Sequence, residues 1–274
     1  MEGLRSRLKI YLIVFFAVIF IGTMGMMTIE KRSLVDSFYF VVVTMATVGY
    51  GDVHPITDLG KIFTLMIIVI GVGTFIGVIA NFTEIMLAKR EIESRMNKLN
   101  MVIGVFFSEV GLELLSKFSH YDPNFDAIRP GLLIKGTWTD KEFISAGKAS
   151  AKHDFGVDAS QVDFPALKGF LMAKRDFLLR LLENPVLLEH QSFTDLLRAV
   201  FHLTEELSYR PSFEGMLKAD ASHLAGDIKR GYHLLVAEWI TYMKYLKTSY
   251  PFLFSLAVRT NPFDKEASVV LETM

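Results

Sequence analysis

The chain has 274 residues, with 29 basic and 30 acidic side chains, a formal net charge of −1 and 51% hydrophobic residues. That composition excludes a wholly disordered chain, and the missing basic excess argues against a nucleic-acid partner. With no cysteine, disulfides, a thiolate nucleophile and thiolate-bound zinc or iron–sulfur clusters are also excluded. At about 150 residues per domain the length suggests roughly two domains. The mean hydropathy of +0.35 is high for an ordinary soluble domain, so the apolar residues must be concentrated somewhere.

They lie in the first third. Ile10–Ile29 and Ile62–Thr83 contain no charged residue, and about 20 apolar residues suffice to cross the hydrocarbon core. The basic start Arg5, Arg7 and Lys9 raises the alternative of a signal peptide, but a signal's apolar region runs only about 7–15 residues. Five basic residues flank the pair (Arg5, Arg7, Lys9, Lys89, Arg90) against three between them (Lys31, Arg32, Lys61). This favours a multi-pass protein of the cell membrane with both termini cytoplasmic. Between the spans, residues 34–46 are apolar and reach about half a membrane thickness as a helix. Ser33 is placed to cap that helix and Asp36 to complement its dipole. A short apolar helix between two spans reads as re-entrant, and irregular backbone at that depth survives only when buried in protein or lining water.

After the short helix comes Thr44-Met45-Ala46-Thr47-Val48-Gly49-Tyr50-Gly51-Asp52. On this string and its flanking spans, residues 10–90 resemble the two-transmembrane potassium channel family of prokaryotic type. The resemblance implies an outer helix, a pore helix, a selectivity filter and an inner helix. It also implies passive conduction of K+ as the permeant ion, no cofactor, a homotetramer in the lipid bilayer, and no enzymatic activity. The residue types suit that chemistry. Carbonyl oxygens must replace the ion's hydration shell, and a backbone that alternates with left-handed residues accounts for Gly49 and Gly51. The carbonyls of Thr47, Val48, Gly49 and Tyr50 and the Thr47 hydroxyl are the expected pore oxygens, with Val48 and Tyr50 packing outward against the pore helix. Asp52 is expected at the outer mouth, with Tyr39 as the candidate donor to its carboxylate. Many family members carry tryptophan at the position of Tyr39, and some carry a carboxylate where this chain has Val43. His54 reads as a solvated turn residue.

The inner span contains Gly71-Val72-Gly73-Thr74-Phe75-Ile76-Gly77. No strand precedes it, so it is not a phosphate loop. Small residues there allow close helix packing, and the family places a hinge near Gly71. Val72, Phe75, Ile79 and Thr83 fall on one helical face, expected to line the inner pore or else to pack on the outer helix. No span carries the arginine periodicity of a voltage sensor.

Beyond the charged stretch Lys89–Arg95, residues 93–274 form the second expected domain after a pore domain of residues 1–92. Its pattern predicts helices at 101–118, 141–153, 166–183, 193–209, 222–247 and 251–258. The fold class is therefore an all-α membrane protein with an all-α cytoplasmic C-terminal domain for assembly or regulation. No Gly-rich nucleotide motif follows residue 92, so any cytoplasmic ligand is unidentified. His202 and Glu206, and His223 and Asp227, stand four apart on two of the predicted helices. His233 and Glu238 follow, and these histidines and acids are the candidate metal ligands, His202, Glu206, His223 and Asp227 first; the Glu-x-x-His repeat of di-metal bundles is missing, so ordinary ion pairs are expected. The competing function is a membrane-anchored helical enzyme or metal-binding sensor.

Overall fold

The structure, a computed structural model, describes residues 2–185, 187 and 190–270. The chain divides into two compact units, Met1–Ser94 and Arg95–Met274. The fold is all-helical, with no strand among the described residues.

In the first unit, α1 (Glu2–Ile29) is the outer helix and α2 (Leu34–Met45) the short helix that follows it. Ser33 caps α2, its hydroxyl accepting from the Asp36 backbone N–H at 3.1 Å. α3 (Asp58–Ile67) begins under a second cap, Thr57, whose hydroxyl accepts from the Gly60 N–H at 3.0 Å. Glu30 ties the end of α1 to this cap: its carboxylate accepts from the N–H groups of Ile56 and Thr57, both at 3.0 Å, and from the Thr57 hydroxyl at 2.6 Å. Those bonds hold its carboxyl below the usual carboxylate range. Met26, Phe40, Val41, Met45 and Ile67 are buried together, joining α1, α2 and α3 in one small core.

Two helices are long and apolar enough to cross a membrane. A soluble protein's core helix passes the same length test but is mostly buried, whereas only 17% of each apolar window is buried here. The exposed side chains include Phe16, Phe20, Leu65 and Val69, which suits a lipid-facing surface.

The inner helix is not uniform. α3 passes through a π-helical turn at Ile68–Val72 into α4 (Gly73–Phe106). The helix predicted to start at residue 101 is thus the end of a longer one. A second π turn, Phe107–Gly111, leads into α5 (Leu112–Tyr121).

The second unit is built around one long helix. α6 (Phe125–Ile128) is a single turn, followed by α7 (Asp140–Lys152), α8 (Phe164–Leu182), α9 (Gln191–Ser208), α10 (Lys218–Ser249) and α11 (Pro251–Arg259). α10 buries Leu224, Ile228, Tyr232, Leu235, Val236, Trp239, Met243 and Leu246, a stripe at helical spacing. It packs chiefly on α9 and α7. Thr139 and Glu142 form a capping box at the start of α7, and Asp163 caps α8 just ahead of Pro165.

Candidate selectivity filter and inner helix

The filter candidate starts where α2 stops. The C-terminal carbonyls of a helix lack intrahelical partners, and here the descending chain uses them. The Thr47 N–H donates to the Thr44 carbonyl at 3.0 Å, and the Val48 and Gly49 N–H groups both reach the Val43 carbonyl, at 3.0 and 3.4 Å. Val43 therefore supports this segment through its backbone, whatever its side chain lacks.

The backbone then alternates. Thr47 has φ 58°, Gly49 φ 54° and Gly51 φ 79°, each left-handed, with the intervening residues on the ordinary side. Glycine adopts that region without steric cost. Thr47 does not: a β-branched residue there carries about 1–2 kcal/mol of strain. The sequence offered glycines as the signal for left-handed positions, so Thr47 escaped it. Its period-two spacing from Gly49 was the available clue.

Asp52 is exposed beyond the last left-handed glycine. The Tyr39 hydroxyl, on α2, donates to Asp52 Oδ2 at 3.0 Å, and the Val53 N–H donates to Asp52 Oδ1 at 3.0 Å. His54 Nδ1 stands 3.2 Å from the Gly51 carbonyl, and Arg32 donates to the His54 carbonyl at 3.1 Å. His54 is exposed but thereby engaged in holding the turn. Behind the segment lies a cleft of about 400 Å³ lined by Tyr39, Val43, Thr47, Tyr50, Asp52 and Val72, among others. Within one chain Val48 and Tyr50 are 52% and 72% exposed. Tyr50 nonetheless borders that cleft beside Tyr39, Phe40 and Val43 of the pore helix.

Gly71 sits in the π turn and is buried. A Cβ added there would lie 2.7 Å from Met45 Cγ, so the bare backbone lets the inner helix approach the end of α2. At the end of the π turn the Gly73 N–H donates to the Ile70 carbonyl, and the Thr74 hydroxyl donates to the carbonyls of Ile70 and Gly71, both at 2.9 Å. For Phe75 the second of the two expectations, packing on the outer helix, fits the structure. Phe75 stacks on Phe15 of α1, ring centroids 6.2 Å apart, and so faces the outer helix rather than the pore. The extra residue of the π turn rotates everything after it relative to a straight 3.6-residue projection. Val72 borders the filter cleft, while Ile79 and Thr83 are exposed.

In the second unit, the four candidate metal ligands meet. Asp227 Oδ2 lies 3.6 Å from His202 Nε2 and 3.5 Å from His223 Nε2, and His223 Nε2 lies 3.8 Å from Glu206 Oε2. Spacing along each helix was visible in the sequence; that α9 and α10 pair with these faces together was not.

An outer helix, a capped half-length helix, an alternating-φ segment closed by an aspartate and an inner helix with a π turn define the class: an ion-channel pore unit of the two-transmembrane potassium channel type. Residues 10–88 match the family model described as "Ion channel". Residues 95–259 match the model described as "Uncharacterized protein MJ1433, C-terminal helical domain". The chain belongs to that second family. It is 43% identical over 189 residues to the uncharacterized protein MJ1433 of Methanocaldococcus jannaschii, covering 69% of this chain and 76% of that protein. It is 32% identical over 103 residues to potassium channel protein 1 of the same organism, covering 35% of this chain and 31% of that one. Identity to the voltage-gated potassium channel Kch of Escherichia coli is 35% over 67 residues, covering 22% of this chain and 16% of that one. The match to the ion-channel model, residues 10–88, lies within the first unit.

Proposed function

We propose that the chain forms a K+-selective channel in the cell membrane, with several copies closing a ring of carbonyls from Thr47, Val48, Gly49 and Tyr50 around one axis. The observation that carries this reading is the alternation of left-handed residues at Thr47, Gly49 and Gly51, directly after a helix whose end anchors them. Such alternation is what successive carbonyls need to face one line and replace an ion's water. One chain contributes one strand of the ring, so closed rotational symmetry is required. The resemblance sets the number at four. The exposed Val48 and Tyr50 then find their missing wall in a neighbouring copy.

The domain boundary near residue 92 separates this pore from a helical domain that assembles or regulates it. Both termini are placed in the cytoplasm, with α4 as the element through which the helical domain biases the inner gate. Val72, Ile79 and Thr83 are the inner-pore positions of this reading, while Phe75 takes the alternative of packing on the outer helix. Gly71 combines close packing with the local unwinding that a bend needs. K+ is the permeant ion, and no enzymatic step is assigned.

The test is flux from liposomes holding the full-length protein. Potassium efflux should far exceed sodium efflux and be blocked by barium. Gly49→Ala or Gly51→Ala, each forcing a Cβ into left-handed backbone, should abolish the preference. Unchanged selectivity in both variants would refute the filter assignment.

A further inference from the structure

We infer that His202, His223 and Asp227 form a binding site for a divalent transition-metal ion of the zinc type, bridging α9 and α10. Asp227 is 3% exposed, and its Oδ2 is buried without a hydrogen-bond partner. A buried carboxylate oxygen left unpaired is costly. Two imidazole nitrogens face it from two different helices, at 3.6 and 3.5 Å. Those separations are too long for hydrogen bonds. They are close to the edge of a coordination tetrahedron: donors about 2.0–2.1 Å from zinc lie about 3.3–3.4 Å from one another.

The surroundings are organised in the same sense. Asp227 Oδ1 lies 3.3 Å from Arg230, which leaves Oδ2 as the available donor. Glu206 Oε2 is 3.8 Å from His223 Nε2 and 2.8 Å from Arg210, which in turn holds Asp220 at 2.6 Å. Glu206 is therefore a fixed neighbour able to accept from a metal-bound water. Arg210 and Arg230 supply opposing positive charge, which limits affinity. Two nitrogens and one carboxylate suit zinc, cobalt or nickel better than calcium or magnesium, which prefer all-oxygen sets.

As placed, no group of three His, Cys, Asp or Glu side chains among the described residues could hold a metal ion. Closure is a matter of side-chain rotation: the side chains of His202 and His223 are 46% and 55% exposed, with room to turn toward the fixed Asp227. A bound ion would cross-link the two most extensively packed helices of this unit.

Cobalt is the probe, because tetrahedral Co2+ has intense visible bands. Metal-stripped full-length protein in detergent should take up one Co2+ per chain at saturation, with those bands appearing and then disappearing on addition of Zn2+. His202→Gln and His223→Gln should each weaken uptake by at least ~100-fold, since even outer partners of metal ligands are worth about 10–100-fold. His120→Gln, on α5, should leave it unchanged. Both substituted histidines lie on exposed helix faces, and the helical circular dichroism of each variant verifies that it folds. Asp227→Asn provides a second loss variant that keeps the shape of the side chain. Absence of saturable Co2+ uptake, or uptake that survives both histidine substitutions, overturns the assignment.

Discussion

Gly71→Ala separates packing from bending in the inner helix. The added Cβ would sit 2.7 Å from Met45 Cγ and 3.3 Å from its sulfur. Carbon atoms in contact prefer about 3.5–4.0 Å, so roughly an ångström of overlap must be relieved. Met45 is 1% exposed and hemmed in by Met26, Val41 and Ile67, which leaves it little room to yield. Overpacking of this kind costs about 1–3 kcal/mol. Met45→Ala alone should cost about 2–5 kcal/mol through the cavity it leaves. In the double variant the clash has no partner, so its loss should be smaller than the two single losses added, by about 1–3 kcal/mol. Denaturant unfolding of the four proteins in mixed micelles measures that coupling. Additivity within about 0.5 kcal/mol would show that the close approach of Gly71 to Met45 is not what requires glycine there. A flux defect that persists in the double variant while stability recovers would belong to the bend.

Three further outcomes are expected. Tyr39→Phe removes the hydroxyl that donates to Asp52; at about 0.5–1.5 kcal/mol for such a bond, potassium flux should fall roughly 2- to 10-fold, and Tyr39→Trp, which restores an N–H donor, should recover it. Thr74→Val strips the hydroxyl that serves the Ile70 and Gly71 carbonyls and should destabilise the protein by about 1 kcal/mol in micelle unfolding. Arg210 holds the carboxyls of Asp220 and Glu206 below their ordinary values of 3.8 and 4.5 by direct hydrogen bonds. For depressed carboxyls the stabilisation is full above the ordinary values and is lost as pH falls below them through the lowered ones. Arg210→Met should therefore flatten the acid dependence of the helical circular dichroism in that window, and an unchanged acid profile would remove Arg210 as its source.

How much of this was legible in the sequence depended on how local the signal was. The pore helix and its Ser33 cap are written within a few residues, as are the filter glycines, because caps and left-handed positions are short-range chemistry. The all-helical class came from 3.6-residue spacing in α7 to α11, and the helix ends shift only by a few residues. For Phe75 two readings stayed open in the sequence, because a π turn leaves no clear mark in a run of Ile, Val and Gly, yet it re-aims every residue after it. Thr47 was passed over as a left-handed residue because its strain is imposed by neighbours. Glu30 knits α1 to the Thr57 cap across 26 residues or more, a pairing that no local pattern announces. The His202–Asp227–His223 cluster was half visible: each helix showed its pair, but the pairing of two helix faces is a tertiary fact that the core stripes on α9 and α10 decide.

The central claim is selective conduction through residues 47–51, and one recording tests it most directly. Full-length protein in a planar bilayer, with K+ on one side and Na+ on the other, should show a reversal potential close to the potassium limit. A reversal potential near zero under the same gradient would mean that the pore does not distinguish the two ions, and the account of this segment as a potassium filter would be wrong.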